Sequence, residues 1–318
     1  MTPMASNRAA SGATIAAAPP LLDVRALEKR FGGLVATDRV DLQVLRGEVH
    51  ALIGPNGAGK TTLVAQLGGQ LASDRGRIVF DGVDITAMPS HQRARRGLVH
   101  SFQITRLFRS ASVLDNIALA VQAVSGSSLR AWRPVSREAA LFARAREVAA
   151  EVGLAAKGAL RIDQLSHGER RALEVGMTLA SRPRLVLLDE PMAGMGHEES
   201  ARMERLIATI RATSTVLLIE HDVDAVFRLA DRVSVLVEGR IIATGAPAVV
   251  RSDRGVIAAY LGDGAGTDDG GVDGGGTDGG GTDGGGVNGG GVDGGAVDGG
   301  GVNGDGRIDR TRERGGAV

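Results

Sequence analysis

The sequence predicts an α/β fold: a mainly parallel core sheet, an antiparallel β subdomain at its edge, and a helical subdomain. Three observations predict it. The short runs Val49–Ile53, Leu185–Leu188 and Thr215–Ile219 are almost wholly apolar, as strands buried on both faces are. Each stops at a cluster able to carry chemistry: a glycine loop, Asp189-Glu190, and Glu220-His221-Asp222. Helix-compatible segments lie between these runs, the order expected of an α/β chain.

Residues 1–20 are rich in Ala and Ser and lack a leucine-type apolar core, so they read as a disordered start and a poor secretory signal. Leu21 to Leu27 alternates as an edge strand. Glu28 to Gly33 reads as a turn carrying one aromatic, Phe31, and Val35 to Val44 as a second edge strand. Arg46-Gly47-Glu48 is a turn feeding the first buried strand. Leu63 to Leu71 is helical, and Arg77 to Asp81 is a strand after the turn Ser73–Gly76. Ser90 to Gly97 reads as a basic helix whose Arg93, Arg95 and Arg96 belong to a solvated face. Leu98 to Gln103 is a short strand.

From Leu107 to about Leu160 the pattern is mostly helical, with Ala-rich stretches at Asn116–Val124 and Arg137–Leu154. Residues of about 104–165 therefore form a helical subdomain inserted in the core. Ser166 is placed to cap the next helix, with Glu169 three residues on as a capping box requires. After the strand ending at Asp189-Glu190 come a helix over Ser200–Thr213, the strand Thr215–Ile219, a helix over Asp222–Asp231 and a hairpin around Gly239. One helix over Val249–Leu261 closes the domain, which spans residues 21–262. Residues 263–318 form a tail in which a Gly-Gly-x-Asp/Asn-Gly unit recurs about every five residues up to Gly306, with too little apolar surface to offset its backbone entropy. A flexible appendage is expected there. A calcium-binding β-helix needs a nine-residue repeat.

Composition sets outer limits. The chain of 318 residues has a formal net charge of +0, which points to neither nucleic acid nor an acidic membrane surface. It contains no Cys, so thiol chemistry, disulfides and Cys-ligated zinc are excluded, and a reducing compartment fits. No apolar run approaches the ~20 residues that cross a bilayer.

The stretch Gly54-Pro55-Asn56-Gly57-Ala58-Gly59-Lys60-Thr61-Thr62 carries the chemistry. Gly, four residues, then Gly-Lys-Thr is the Walker A phosphate loop, here between a strand and a helix as its mechanism demands. The glycines let several N–H groups turn toward one anion, and the following helix adds its positive end. Lys60 can reach the β- and γ-phosphates, Thr61 can ligate Mg²⁺, and Thr62 lies on the α-phosphate side. Phe31, upstream in a chain with few aromatics, can stack on an adenine, worth roughly 1–3 kcal/mol by analogy with base stacking; the rival reading packs it under its own turn. Asp189-Glu190 at the end of an apolar strand is the Walker B pattern.

With the phosphate loop, Gln103, Leu165-Ser166-His167-Gly168-Glu169, Leu185–Glu190 and His221 in this order, residues 22–262 resemble the ATPase subunit of an ABC transporter. The stretches Ser101–Phe108, Pro191–Met195 and Ala259–Gly262 are similar to those of the branched-chain amino acid uptake group and its urea and amide relatives. The resemblance implies a P-loop NTPase, RecA-like core that hydrolyses ATP with Mg²⁺. It implies that two copies, or this chain and a sister chain, face each other head to tail. Each ATP then lies between the phosphate loop of one and Ser166 and Gly168 of the other. Asp189 and Gln103 would serve the metal with Thr61, Glu190 would be general base, and His221 would bond the γ-phosphate. The implied partners are two membrane permeases and, indirectly, an extracytoplasmic solute-binding protein, with the chain on the inner face of the cell membrane.

Two departures stand out. Glu169 replaces the usual Gln of the signature and brings a negative charge near a triphosphate, which weakens closure unless its side chain turns away. Gly196 stands where the loop after Walker B usually has Asp. Two other functions compete. A soluble ABC ATPase acting on nucleic acid or ribosomes usually has two cassettes or a long coiled coil, and neither is present. A GTP switch or kinase would leave the signature unexplained, and no Asn-Lys-x-Asp motif occurs.

Overall fold

Residues 19–101, 107–124 and 139–261 are described by the computed structural model. In chain order the elements are β1 (Leu22–Phe31), β2 (Leu34–Val44), β3 (Val49–Ile53), α1 (Lys60–Gly68), β4 (Arg75–Phe80), β5 (Val83–Asp84), α2 (Ser90–Arg95) and β6 (Leu98–His100). The helices α3 (Val113–Val124), α4 (Ala139–Glu151) and α5 (His167–Leu179) follow. The last part alternates: β7 (Leu185–Asp189), α6 (His197–Ile210), β8 (Thr215–Ile219), α7 (Val223–Leu229), β9 (Arg232–Val237), β10 (Arg240–Gly245), α8 (Pro247–Arg251) and α9 (Arg254–Leu261).

Two sheets result. The larger has the order β10-β9-β3-β8-β7-β6. Its pairs β3–β8, β3–β9, β7–β8 and β6–β7 are parallel, and only β10 runs antiparallel, against β9. The smaller is antiparallel, in the order β2-β1-β4-β5. The apolar runs read from sequence are buried on both faces, and the period of two sorts their side chains. Val186 and Leu188 join Val216 and Leu218 in a core shared with α3, α4, α5 and α6. Leu185 and Leu187 join Leu217 and Ile219 on the opposite face, against α1 and the small sheet. A third cluster holds Ala51, Ile53, Val233 and Val235 beneath Val226, Val250 and Val256 of α7, α8 and α9.

Four expectations need correction. The strand at Leu21–Leu27 is interior, between β2 and β4, because its apolar alternation serves a sheet packed over α1. It also runs on through Glu28 and Phe31, so the turn is only Gly32-Gly33. Arg93 does not belong to a solvated face. It is 2% exposed, and its guanidinium donates to the carbonyls of Met88 (2.7 Å), Thr86 (2.9 Å), Gln66 (2.7 Å) and Leu67 (2.7 Å). The last two end α1, so a cation caps the negative end of the phosphate-loop helix. Burial pulls that guanidinium down to about 10, still charged at neutral pH. Finally, the terminal helix is two, α8 and α9, divided by Ser252-Asp253. Among the described residues no helix is long and apolar enough to cross a membrane. The proposed tail, the first 18 residues and Gln103 lie outside the described residues.

Candidate active site

Parallel pairing puts the carboxyl ends of β3, β8 and β7 at one edge of the sheet, in that order across it. The phosphate loop leaves β3, His221 follows β8, and Asp189-Glu190 ends β7. Three clusters, two of them 31 residues apart and both more than a hundred residues from the phosphate loop, thus meet where ligands bind in open α/β sheets.

The phosphate loop is held from outside as well as within. Gly59 adopts φ +102°, and a Cβ there would lie 2.1 Å from the carbonyl oxygen of Ala36 on β2. A Cβ on Gly54 would meet the Leu236 carbonyl oxygen of β9 at 2.0 Å. Only glycine allows these neighbours so close. The Gly239 N–H donates to the Ala58 carbonyl (2.8 Å), and the Asp38 N–H to the Gly239 carbonyl (2.8 Å), tying loop, hairpin and β2 together. Lys60 is 6% exposed and donates to the carbonyls of Gly54 (2.7 Å) and Pro55 (3.0 Å). Burial lowers its ammonium's pKa, opposed by the charges of Glu190 and Asp189. Helix α1 has no side-chain cap and no acid in its first turn. Its positive end, with Lys60, Thr61 and Thr62, is left for an anion.

Across the site, Glu190 Oε1 lies 2.6 Å from His221 Nε2. Asp189 is pushed up from the usual carboxylate range by burial first and by the Glu190 charge second. Such a desolvated carboxylate favours a cation. Among the described residues no group of three or more His, Cys, Asp or Glu could hold a metal by itself. Mg²⁺ takes one or two protein oxygens and completes its shell with phosphate and water, so the Asp189 carboxylate with the Thr61 hydroxyl would be a donor set it accepts. Phe31 is 49% exposed at the end of β1, not folded under its turn, with the Lys29 ammonium 5.6 Å from its ring centre.

Ser166 caps α5 as expected: its hydroxyl accepts from the Glu169 N–H (3.3 Å), and the Glu169 carboxylate accepts from the Ser166 N–H (3.0 Å). The other carboxylate oxygen of Glu169 pairs with Lys157, whose hydrogen bond is the main cause holding Glu169 below its ordinary pKa. The charge that sequence alone set against closure is therefore paired with a lysine. Sequence reasoning missed Glu199 of α6. Its Oε1 accepts from the Ser166 hydroxyl (2.9 Å) and from the Gly168 N–H (3.2 Å). Sequence reasoning placed Glu220 in the cluster after β8 but gave it no role; 4% exposed, Glu220 accepts from the Met192 N–H (2.8 Å) and the His221 N–H (3.2 Å). A charged residue directly after a wholly apolar strand was the available signal for Glu220; nothing local marks Glu199.

A parallel sheet with a glycine cradle at one strand end and a carboxylate–histidine pair at the next two defines a nucleoside-triphosphate-hydrolysing cassette. Comparison with known proteins agrees. Residues 37–193 match the ABC transporter family model, and 240–266 match that of the branched-chain amino acid ATP-binding cassette transporter. Over 253 residues the chain is 37% identical to the high-affinity branched-chain amino acid transport ATP-binding proteins BraF of Pseudomonas aeruginosa and LivG of Escherichia coli, covering 77% of this chain and 98% of each relative. It is 36% identical over 244 residues to the lipopolysaccharide export system ATP-binding protein LptB of Acidithiobacillus ferridurans, covering 76% of this chain and 97% of that one. A solved ATP-binding cassette of an ABC transporter in its ADP conformation superposes with a TM-score of 0.69 at 29% identity, over 76% of this chain and 99% of that chain. A nucleotide-free cassette gives 0.67 at 28%, over 76% and 98%. The chain belongs to the ATP-binding subunits of ABC transporters, and it is an ATPase.

Proposed function

We propose that the chain is the ATP-hydrolysing subunit of an importer for branched-chain amino acids or related small polar solutes. The match of residues 240–266 to the branched-chain amino acid cassette model carries the choice of import over the export system that LptB serves. In this reading the chain sits on the inner face of the membrane against two permeases, with an extracytoplasmic protein delivering the solute. It pairs with a second ATPase subunit, a copy of itself or a sister chain.

ATP enters with its adenine on Phe31 and its phosphates in the loop from Gly54 to Thr62. The backbone N–H groups and the bare end of α1 bind the phosphate oxygens, and Lys60 exchanges the Gly54 and Pro55 carbonyls for the β- and γ-phosphates. Thr61, Asp189 and Gln103 would hold Mg²⁺, which would neutralise phosphate charge. Ser166 and Gly168 of the opposing subunit close on the γ-phosphate. His221 orients Glu190 through their short contact, and Glu190 draws a proton from the attacking water. The products are ADP and phosphate, and closing and opening of the pair moves the permeases. Glu190→Gln in the assembled complex tests this: hydrolysis and uptake should both fall by about 10²–10⁴-fold, the range general-base loss costs. Undiminished turnover would remove Glu190 from its role.

A further inference from the structure

We propose that Glu220 is a positioning residue for hydrolysis, acting through Glu190; the inference rests on the role of Glu190 given above. Glu190 has φ +48°, a left-handed conformation that a long carboxylate side chain adopts at a cost and keeps only when its surroundings pin it. One pin is backbone: the Glu190 N–H donates to the carbonyl of Ile219, the last residue of β8 (2.8 Å). Past Ile219 the strand is over and cannot supply the next acceptor. Pro191 has no N–H to offer. The next N–H in the turn, Met192, is taken by the Glu220 side chain at 2.8 Å.

The same carboxylate accepts the N–H of His221 through its other oxygen, at 3.2 Å. From His221 the chain of contacts returns through the imidazole to Glu190 Oε1, at 2.6 Å. The ring is closed. One buried carboxylate fixes the backbone on both sides of the pair that would handle the attacking water, through the Met192 and His221 N–H groups. Its removal leaves the Glu190 turn pinned on one side and frees the His221 backbone. Burial pushes the Glu220 carboxyl up in pKa, against the downward pull of these two N–H groups.

The test compares Glu220→Gln and the milder Glu220→Asp in the full chain, assembled with its permeases, each in native and Glu190→Gln backgrounds. Gln sets an amide donor against one of two N–H donors, and Asp draws the carboxylate back by one methylene. We expect kcat to fall about 10- to 100-fold, the scale of an ångström's misplacement, while ATP affinity stays within about threefold. In the Glu190→Gln background, single-turnover hydrolysis should lose nothing more. Equal losses in both backgrounds, parallel loss of ATP affinity and thermal stability, or an unchanged kcat in the folded Asp variant would each overturn the proposal. Full activity of Glu190→Gln with Glu220 intact would instead overturn the reading of Glu190.

Discussion

The Glu199 carboxylate occupies the donors that the proposed mechanism assigns to a γ-phosphate from the opposing subunit. Ser166 Oγ and the Gly168 N–H reach Glu199 Oε1 at 2.9 and 3.2 Å. Both must be released before the sandwich closes. The Ser166 hydroxyl is exposed and the Gly168 N–H half-buried, so each bond is taken at about 0.5–1 kcal/mol, and the pair at about 1–2 kcal/mol. Glu199→Ala should therefore tighten ATP-dependent pairing by about 5- to 30-fold per site. Dimer association measured by analytical ultracentrifugation, with ATP in the Glu190→Gln background, reads this directly. Stability should move the other way. Glu199 is an acid in the first turn of α6, so its loss costs about 0.3–1 kcal/mol through the helix dipole in addition to the two hydrogen bonds. Tighter pairing with lower Tm is thus the expected signature. An association constant that is unchanged or weaker in Glu199→Ala would show that the carboxylate does not compete with phosphate.

Three further outcomes are expected. Gly59→Ala would set its Cβ 2.1 Å from the Ala36 carbonyl oxygen at a φ of +102°, so the loop must move; nucleotide binding by titration calorimetry should fall at least tenfold, and stability by about 2 kcal/mol or more. Arg93→Ala removes a donor from four carbonyls, of which Gln66 keeps the Gly69 N–H, and should cost about 3 kcal/mol in urea denaturation, far more than Arg95→Ala on the exposed side of the same helix. His100 is 4% exposed, and burial pulls its imidazole down to about 4. Between pH 6.5 and 4 the unfolded chain gains a proton the native chain refuses, so stability is full above that window and falls through it, by up to about 3 kcal/mol. Urea midpoints against pH should show this slope, and His100→Gln should flatten it.

Sequence alone reached the residues whose chemistry is local. A phosphate loop is one contiguous turn, so its nine residues could be named without knowing their neighbours. The capping box at Ser166 and Glu169 is equally local, and the structure places it as expected. Buried strands were legible for a similar reason: an apolar run with polar ends needs no partner to be recognised. What failed needed a partner. Arg93 reads as one of three surface cations until the carbonyl end of α1 is seen beside it. The first strand reads as an edge because alternation is the same whether a sheet continues on one side or both; its second neighbour, β4, lies some fifty residues later. Glu199 and Ser166 are 33 residues apart, and only the packing of α6 beside α5 joins them.

The helix ends explain why such a cassette can wait in an open state. Two helix N-termini are meant for phosphate in the proposed reaction, and the chain treats them oppositely. The end of α1 carries no cap and no acid, and its lysine is held by weak neutral acceptors, the carbonyls of Gly54 and Pro55. A triphosphate displaces those at little cost, so the cradle binds first. The end of α5 is already satisfied twice, by its own capping box and by Glu199. An empty opposing subunit offers nothing to replace the second carboxylate, so pairing gains nothing there. A γ-phosphate, with more charge and more acceptor oxygens than one carboxylate, can take its place. Closure is then favoured only after nucleotide has entered, an order set by what each helix end holds beforehand.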